Sequence, residues 1–431
     1  MFVGGGYDAG GPEGDGLYED GIRSGYGGYE YHDYKQAQAS CTTGDLRCST
    51  GSRGSGVYMF DANNGDLLWY ADSSTGTANV DHVKNDDLKY SVVSEIKTVD
   101  RNNDGVVDHI YFGDLAGQAF RVDFKNAGGS TFDSQVTKIL NLHKTNGKSP
   151  RFYYMPTFTA HHSAGRLEGG NIVVASFVSG NKSSPLLATS DSPTVTGQSN
   201  STGLSYDAVY ALYEYDIHPN GSYYPATRTA AKTLATSAES TATATPIKTK
   251  LRMLTDIVNN KTATASKGAK IDPSSGWGGW YYPFNKNFTE AQKESSTVTV
   301  SEGIVKGLTP LVAMEGNLYV TMYDASATGT TSSCGAGVKG DSFAQRICLP
   351  TGVCPEQAKY TYHLGAGVVS LNVGPMTSSK GNKGIVVPDP DPDNVKCVGA
   401  DCGGAGNRFI PAGGSLKFIP HRWYERYSTK E

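Results

Sequence analysis

Charged residues are scarce in this chain of 431 residues: Asp, Glu, Lys and Arg together make up 19%, where about a quarter is usual. The 38 basic and 42 acidic residues nearly cancel and leave a net charge of −4. Nucleic acids and anionic membranes are bound through an excess of positive charge. The composition therefore gives no electrostatic basis for either partner.

The sequence also lacks an apolar run of about 18 residues, the length that a membrane-spanning helix needs. Its apolar runs, such as residues 171–178, have the length of β-strands. The N-terminus has neither the basic n-region nor the apolar h-region of a signal peptide. Residues 1–8 instead predict the end of a strand and a glycine turn, and we expect this chain to be part of a longer protein.

Motifs of the common enzyme classes are missing. No Gly-x-Ser-x-Gly elbow, phosphate-binding loop or His-Glu-x-x-His motif occurs. His161 and His162 are predicted to be a pair at the end of a strand, and the prolines between Asp389, Asp391 and Asp393 disfavour a metal loop there. Because no nucleophile is paired with a base, we predict that the chain is not an enzyme.

Glycine and tyrosine, in contrast, are abundant, with 53 and 26 residues. Short β-branched and aromatic segments flank turn residues in three places: 57–70 around Asn64-Gly65, 109–123 around 114–117, and 312–324 around Gly316-Asn317. Residues 209–216 and 367–372 resemble further inner strands. Hairpins that recur about every 50 residues, with no helical periodicity between them, predict an all-β fold of the β-propeller type.

We predict one propeller domain over residues 1–431 that carries long inserted loops. Three of these loops contain all seven cysteines: residues 8–56 with Cys41 and Cys48, residues 325–358 with Cys334, Cys348 and Cys354, and residues 374–407 with Cys397 and Cys402. No Cys-x-x-Cys zinc motif occurs, so the close spacings favour local disulfides and an oxidising compartment. The pairing among the middle three cysteines stays open.

Residues 100–108, Asp-Arg-Asn-Asn-Asp-Gly-Val-Val-Asp, carry the most informative motif. Oxygen-bearing side chains stand at positions 1, 3, 5 and 9 of an EF-hand-type loop, namely Asp100, Asn102, Asp104 and Asp108. Gly105 permits the sharp turn at position 6, and the carbonyl of Val106 adds an oxygen at position 7. Ca²⁺ takes about six to eight oxygen ligands, and we predict that this loop binds it.

The flanks of the loop differ from those of an EF-hand. Tyr111 replaces the bidentate glutamate at position 12, and a predicted strand over residues 110–112 replaces the exiting helix. The missing carboxylate shifts the expected affinity toward the roughly 10⁻⁴–10⁻³ M range of extracellular modules. Asp123 and Glu95 are candidate further donors, and the alternative is an Asx-rich turn without metal.

The loop and the following residues 111–123 resemble the calcium-binding blade of the PilY1/PilC family, the type IV pilus tip proteins of Gram-negative bacteria. Residues 2–8 and 56–69 are similar to the segment that leads into that blade. Later segments resemble its later blades: residues 276–281, 308–311 and 319–323, followed by Cys334. The resemblance thus covers residues 2–125 and 276–360 in order.

This resemblance implies a modified seven-bladed β-propeller, the C-terminal half of a larger secreted protein at the pilus tip. It implies action with minor pilins, support of pilus assembly against retraction, and adhesion to a host-cell or abiotic surface receptor. It also implies calcium ligation by the five residues Asp100, Asn102, Asp104, Val106 and Asp108. The insertion at 8–56 departs from the family and leaves the receptor open.

Two alternatives stay open. Residues 61–69 also resemble the blade repeat of quinoprotein dehydrogenases, although those enzymes gather calcium ligands from separate blades and this chain has no adjacent Cys-Cys. The second alternative is a calcium-stabilised propeller that binds glycans through exposed Tyr and Trp side chains.

Overall fold

The computed structural model describes about half of the chain: residues 1–6, 18–19, 22–23, 54–76, 79–100, 104–125, 132–143, 149–162, 171–182, 185, 207–214, 233–236, 248–254, 258–259, 276–284, 305–325, 340–355, 361–375, 382–386 and 409–415. Every regular element in these residues is a β-strand, so the all-β prediction is confirmed. Consequently, this part of the chain contains no helix that could cross a membrane.

The chain divides into two compact units, Met1–Ser370 and Leu371–Glu431. The first unit contains the strands β1 (Phe2–Gly4), β2 (Tyr18–Glu19), β3 (Ile22–Arg23), β4 (Val57–Phe60), β5 (Leu67–Asp72), β6 (Asp81–Lys84), β7 (Lys97–Val99), β8 (His109–Gly113), β9 (Gln118–Phe124), β10 (Ser134–Asn141), β11 (Thr157–His162), β12 (Asn171–Val178), β13 (Ala208–Glu214), β14 (Ala235–Thr236), β15 (Lys250–Met253), β16 (Val258–Asn259), β17 (Gly279–Pro283), β18 (Val305–Lys306), β19 (Val312–Met314), β20 (Asn317–Asp324), β21 (Asp341–Cys348), β22 (Cys354–Pro355) and β23 (Thr361–Ala366). The second unit contains β24 (Asn372–Pro375), β25 (Asn382–Val386) and β26 (Phe409–Ser415), which form an antiparallel three-stranded sheet in that order.

Four sheets make up most of the first unit, and we number them in chain order. The first sheet has the order β1-β4-β5-β6 and the second β10-β9-β8-β7. The third has the order β11-β12-β13-β17-β15-β14, and the fourth has the order β18-β20-β21-β23, with β19 also paired to β20. Pairs β2-β3 and β16-β22 stand apart from these. The predicted loop 325–358 thus contains regular structure, because strand β21 lies within it.

Apolar side chains join these sheets face to face in the order of the chain. Trp69 of the first sheet packs in one core cluster with Phe112 and Phe120 of the second. Two further clusters continue the stack. Tyr111 of the second sheet shares a cluster with Tyr210 of the third, and Trp280 of the third shares a cluster with Val320 of the fourth. Strands β8, β9 and β13 are buried along their whole length because a sheet covers each of their faces.

Successive propeller blades also pack face to face, so this stacking agrees with the predicted fold class. The sheets are mainly antiparallel, but β6 pairs in parallel with β5, and β15 pairs in parallel with β14 and β17. The number of seven blades stays a prediction.

The hairpin turns occur where the sequence predicts them, but their residues differ in detail. Between β19 and β20 the left-handed positions are Glu315 (φ 49°) and Gly316 (φ 73°), one residue earlier than Gly316-Asn317. Between β4 and β5 only Gly65 of the Asn64-Gly65 pair has positive φ. Asp61 closes this longer turn, because its carboxylate accepts the N–H of Asn63 at 2.8 Å.

Candidate metal loop and its buried neighbours

The predicted calcium loop connects two neighbouring strands of the second sheet. It begins directly after Val99, the last residue of β7, and ends directly before His109, the first residue of β8. Asp100, Asp104, Val106 and Asp108 are described, whereas Asn102 lies outside the described residues. The strands on both sides therefore hold the two ends of the loop.

The first carboxylate of the loop organises the turn that follows it. Asp100 accepts the N–H of Asp104 through Oδ1 at 3.3 Å and the N–H of Gly105 through Oδ2 at 2.8 Å. The N–H of Val106 donates to Asp104 Oδ1 at 2.8 Å. Gly105 has a φ of +89°, a conformation that glycine adopts without the steric cost of a Cβ atom. The described part of the loop thus curls around the Asp100 carboxylate.

The described donors suit a hard cation in their chemistry but are not gathered into a complete site. Asp100 and Asp104 are exposed to solvent, and each offers carboxylate oxygens of the kind that Ca²⁺ prefers. Among the described residues, no group of three or more His, Cys, Asp or Glu side chains is placed to hold a metal ion. The calcium site therefore stays a prediction, and its test has to include the complete loop.

Asp108 occupies a different environment from Asp100 and Asp104. Its side chain is fully buried. Its backbone N–H donates to the carbonyl of Val99 at 2.9 Å, and its own carbonyl accepts the N–H of Phe124 at 2.9 Å. Asp108 is thus held from both sides, by the end of β7 and by the end of β9.

A network of buried charged side chains begins at the residue after Asp108. His109 donates through Nδ1 to Asp123 Oδ1 at 2.6 Å, and Arg121 Nη2 donates to Asp123 Oδ2 at 3.1 Å. Arg121 also forms an ion pair with Glu214, which is the last residue of β13 in the third sheet. The Tyr111 hydroxyl lies 3.5 Å from the same Glu214 carboxylate. The network therefore crosses from the second sheet to the third.

Sequence reasoning did not identify this network. Asp123 was a candidate calcium donor, but its two carboxylate oxygens accept from His109 and Arg121, and its side chain is fully buried. The available signal was the placement of His109, Arg121 and Asp123 within strands whose other residues are mostly apolar, aromatic or small. Glu214, the partner of Arg121 in the third sheet, lies 93 residues further along the chain, so no local pattern could reveal it.

Of the histidine pair and the aspartates between residues 389 and 393, the structure describes only the histidine pair. His161 and His162 end strand β11, as predicted, and His161 Nε2 lies 2.9 Å from the hydroxyl oxygen of Thr159. Burial lowers the pKa of His161. Asp389, Asp391 and Asp393 lie outside the described residues.

The glycan-binding alternative finds no support in the described tryptophans. Trp69, Trp277 and Trp280 are all fully buried in the apolar clusters between sheets. These three side chains are therefore not available to stack on a sugar, and Trp423 lies outside the described residues.

One disulfide is present in the described residues, and it resolves a pairing that the sequence left open. Cys348 is bonded to Cys354, with Cα atoms 4.9 Å apart. The bond closes a short loop whose Pro350 carbonyl accepts two hydrogen bonds from the third sheet, one from Trp280 Nε1 at 2.7 Å and one from the Tyr213 hydroxyl at 2.8 Å. The other five cysteines lie outside the described residues.

Comparison with solved structures finds a likeness that comparison of sequences does not. No protein-family model matches the chain, and no curated protein is similar to it in sequence. Among solved structures, the chain is similar to the crystal structure of the Pseudomonas aeruginosa PilY1 C-terminal domain, with 12% identity and a TM-score of 0.38. The alignment covers 77% of this chain and 64% of that domain, so the chain spans less than two thirds of its length. A TM-score this low does not establish a common fold.

Proposed function

We propose that this chain is a non-enzymatic, calcium-binding domain of a type IV pilus tip protein. The observation that carries the proposal is the Asp-rich loop between β7 and β8, in which the Asp100 carboxylate accepts the N–H groups of Asp104 and Gly105. An EF-hand-type loop uses its first carboxylate and its position-6 glycine for such a turn. The sequence resemblance of residues 2–125 and 276–360 to the pilus tip family supplies the biological setting.

In this proposal the ion is held by oxygens of Asp100, Asn102, Asp104 and Asp108 and by the Val106 carbonyl. Bound calcium supplies positive charge that compensates the three carboxylates of the loop. The chain supplies the rest: Asp100 orders the turn, Gly105 permits its curvature, and the β7 and β9 backbones hold Asp108 at the exit.

The expected binding energy limits what calcium does for the fold. When the free calcium concentration equals the dissociation constant, binding stabilises the folded state by only about 0.4 kcal/mol. This is small against the total stability of a domain, which is about 5–15 kcal/mol. We therefore propose that calcium orders the loop locally for a partner and does not control folding of the whole unit.

The proposed partners are minor pilins at the pilus tip and a receptor on a host cell or an abiotic surface. In this role the domain supports pilus biogenesis by countering retraction, and it mediates adhesion. The proposed location is extracellular. The Cys348–Cys354 disulfide supports export, because such bonds persist in oxidising compartments.

The first test is a calorimetric calcium titration of the wild-type chain, Asp104→Ala and the control Asp66→Ala. Asp66 is an exposed acidic residue in another turn of the same unit, so its removal changes the net charge equally. We expect one site with a dissociation constant of roughly 10⁻⁴–10⁻³ M in wild type and in the control, and no binding in Asp104→Ala.

The three circular dichroism spectra should be identical. Absence of binding in the wild type, or global unfolding of Asp104→Ala, would contradict the proposal. If the wild-type chain reduced a redox dye in the presence of a quinone, the dehydrogenase alternative would replace the proposed function.

A further inference from the structure

The face of the third sheet that packs against the fourth carries two hydroxyl groups among apolar side chains. Val174, Val178 and Ala211 place this face in the apolar cluster that the two sheets share. Ser176 lies between Val174 and Val178 on β12 and points the same way, because residues two apart in a strand share a face. Thr157 of the terminal strand β11 is the direct register partner of Ser176, so the two side chains are neighbours.

The hydroxyl oxygens of this pair have no hydrogen-bond partner in the part of the chain that the structure describes. Ser176 is fully buried, and the Oγ1 atom of Thr157 is shielded from solvent as well. A hydroxyl group that is buried without a hydrogen bond loses its hydration and gains nothing in return. Buried polar groups in folded proteins are therefore nearly always paired, either with the protein or with ordered water.

The fourth sheet directs a polar side chain toward the same junction. On β21, Gln345 lies between Phe343 and Ile347, and its register partner on β20 is Val320. These three apolar neighbours of Gln345 belong to the cluster that the fourth sheet shares with the third. Gln345 is 2% exposed, and its Oε1 atom has no hydrogen-bond partner among the described residues. The amide thus enters the junction from the side opposite to the two hydroxyl groups.

The row of side chains that contains Ser176 is shallow in the middle. The register partner of Ser176 on β13 is Ala211, and the partner of Ala211 on β17 is Trp280. Serine and alanine are the smallest side chains of this row, so the row is lowest between Thr157 and the indole ring of Trp280. A buried water molecule needs little more room than its own volume, and it needs about two to four polar partners.

A stripe of polar side chains continues from this position along β11. Thr159 and His161 share the face of Thr157, because they are two and four residues further along the strand. His161 Nε2 lies 2.9 Å from Thr159 Oγ1, and the Thr159 hydroxyl donates to the carbonyl of Val174 at 3.5 Å. The side chain of His161 is half-buried. This stripe is the route by which we expect water to reach the junction.

We infer that the junction of the third and fourth sheets contains an internal water site, in which the hydroxyl groups of Thr157 and Ser176 and the amide of Gln345 bind an ordered water molecule. Three polar partners are about the usual number for a buried water molecule. The site is independent of the proposed calcium loop, which joins two strands of the second sheet. In addition to the apolar cluster, a bridging water molecule therefore links the two sheets.

The first test is a high-resolution crystal structure of the wild-type chain. We expect electron density for a water molecule about 2.8 Å from Ser176 Oγ and from at least one of the other two oxygen atoms, Thr157 Oγ1 and Gln345 Oε1. A direct hydrogen bond between these side chains with no water between them would overturn the inference. Calcium plays no part in this measurement, so the result is separate from the fate of the proposed function.

The second test compares Thr157→Val with the control Thr321→Val. Valine has the shape of threonine without the hydroxyl group, so Thr157→Val should remove one hydrogen bond to the water and lower the unfolding temperature by about 2 °C. Thr321 is also buried, and its Oγ1 atom has no partner among the described residues. It lies next to Val320 on β20 and points to the opposite face of the fourth sheet. Thr321→Val should therefore keep the water molecule in the junction.

The direction of the change in Thr157→Val distinguishes a hydrated hydroxyl group from an unpaired one. Removal of an unpaired buried hydroxyl group relieves a cost, so an unfolding temperature equal to or above that of wild type would contradict the inference. Loss of the water from crystals of Thr321→Val would also contradict it. If Thr157→Val does not fold, Gln345→Met replaces it, with the same expected decrease and the same contrary outcome.

Discussion

The second and fourth sheets both pack against the third, but through different chemistry. The second sheet combines an apolar cluster with the buried ion pair from Arg121 to Glu214. At the junction of the fourth sheet, an apolar cluster is combined with hydrogen bonds from two neutral donors of the third sheet. These donors, Trp280 and Tyr213, share the Pro350 carbonyl. A neutral donor can be lost at the cost of one hydrogen bond, whereas a buried ion requires all of its partners. We therefore expect the junction of the second sheet to be the more sensitive to mutation.

The largest expected effect comes from removing the central cation of that junction. Arg121→Met should lower the free energy of unfolding by about 3–5 kcal/mol, because the buried carboxylates of Asp123 and Glu214 both lose the cation that they contact. Tyr213→Phe in the fourth-sheet junction should cost only about 1 kcal/mol, since Trp280 still donates to Pro350. Chemical denaturation of both variants measures the difference. Equal losses would show that the two junctions are equivalent.

The disulfide gives the fourth-sheet junction a covalent constraint for which the described part of the second sheet has no counterpart. Replacing Cys348 and Cys354 together by Ala should lower stability by about 2 kcal/mol, because the closed loop is short and the entropy gained by the unfolded chain is modest. Denaturant melts of the double variant with and without dithiothreitol separate this bond from the other five cysteines. If the double variant were as stable as wild type, the disulfide would not contribute to the difference in stability between the two junctions.

A smaller effect should depend on pH and arise in the β8–β9 turn of the second sheet. Burial raises the pKa of Asp114 from its ordinary value of 3.8 to about 8, although its carboxylate accepts the N–H groups of Ala116 and Gln118 at 2.9 and 2.8 Å. Because the folded state holds this proton more tightly than the unfolded state, the stability it provides is greatest at low pH. It is lost as the pH rises from about 4 to 8.

Between pH 7 and 8 the loss from Asp114 should be about 1 kcal/mol. Asp114→Asn keeps the acceptor oxygen and removes the titration, so its stability should change less than that of wild type over this interval. Thermal or denaturant melts at both pH values measure how much the free energy of unfolding changes in wild type and in the variant. Parallel curves for the two proteins would show that Asp114 does not titrate in this range.

Features that depend on residues close together in the sequence were predicted, whereas contacts between residues far apart in the sequence were not. The hairpin of β19 and β20 was recognisable because alternating side chains and a turn glycine lie within thirteen residues, 312–324. Its turn was misplaced by one residue because Glu315, and not Asn317, adopts the left-handed conformation. Strand β21 lies in a stretch, residues 325–358, that is predicted to be a loop because it holds three cysteines, one of which, Cys348, is the last residue of the strand.

The candidate site likewise has a part that the sequence predicts and a part that depends on residues far apart in the chain. Its spacing of oxygen-bearing residues is local, so the loop could be found from nine consecutive residues. The role of Asp123 could not be predicted, because its carboxylate could serve the loop or the interior, and only the position of Arg121 decides between them.

The sequence by itself determined an all-β chain with hairpin turns and an Asp-rich loop between two strands, because these features depend on side-chain alternation and on neighbouring residues. Only the tertiary structure decided which sheets pack together, which cysteines of the middle group are bonded and which acidic residues are buried. These outcomes depend on contacts such as Arg121 with Glu214, whose partners lie 93 positions apart. An ion pair on the surface contributes little to stability, whereas the loss of one partner of a buried ion pair is costly. Which ion pairs are buried is decided by the packing of the whole fold.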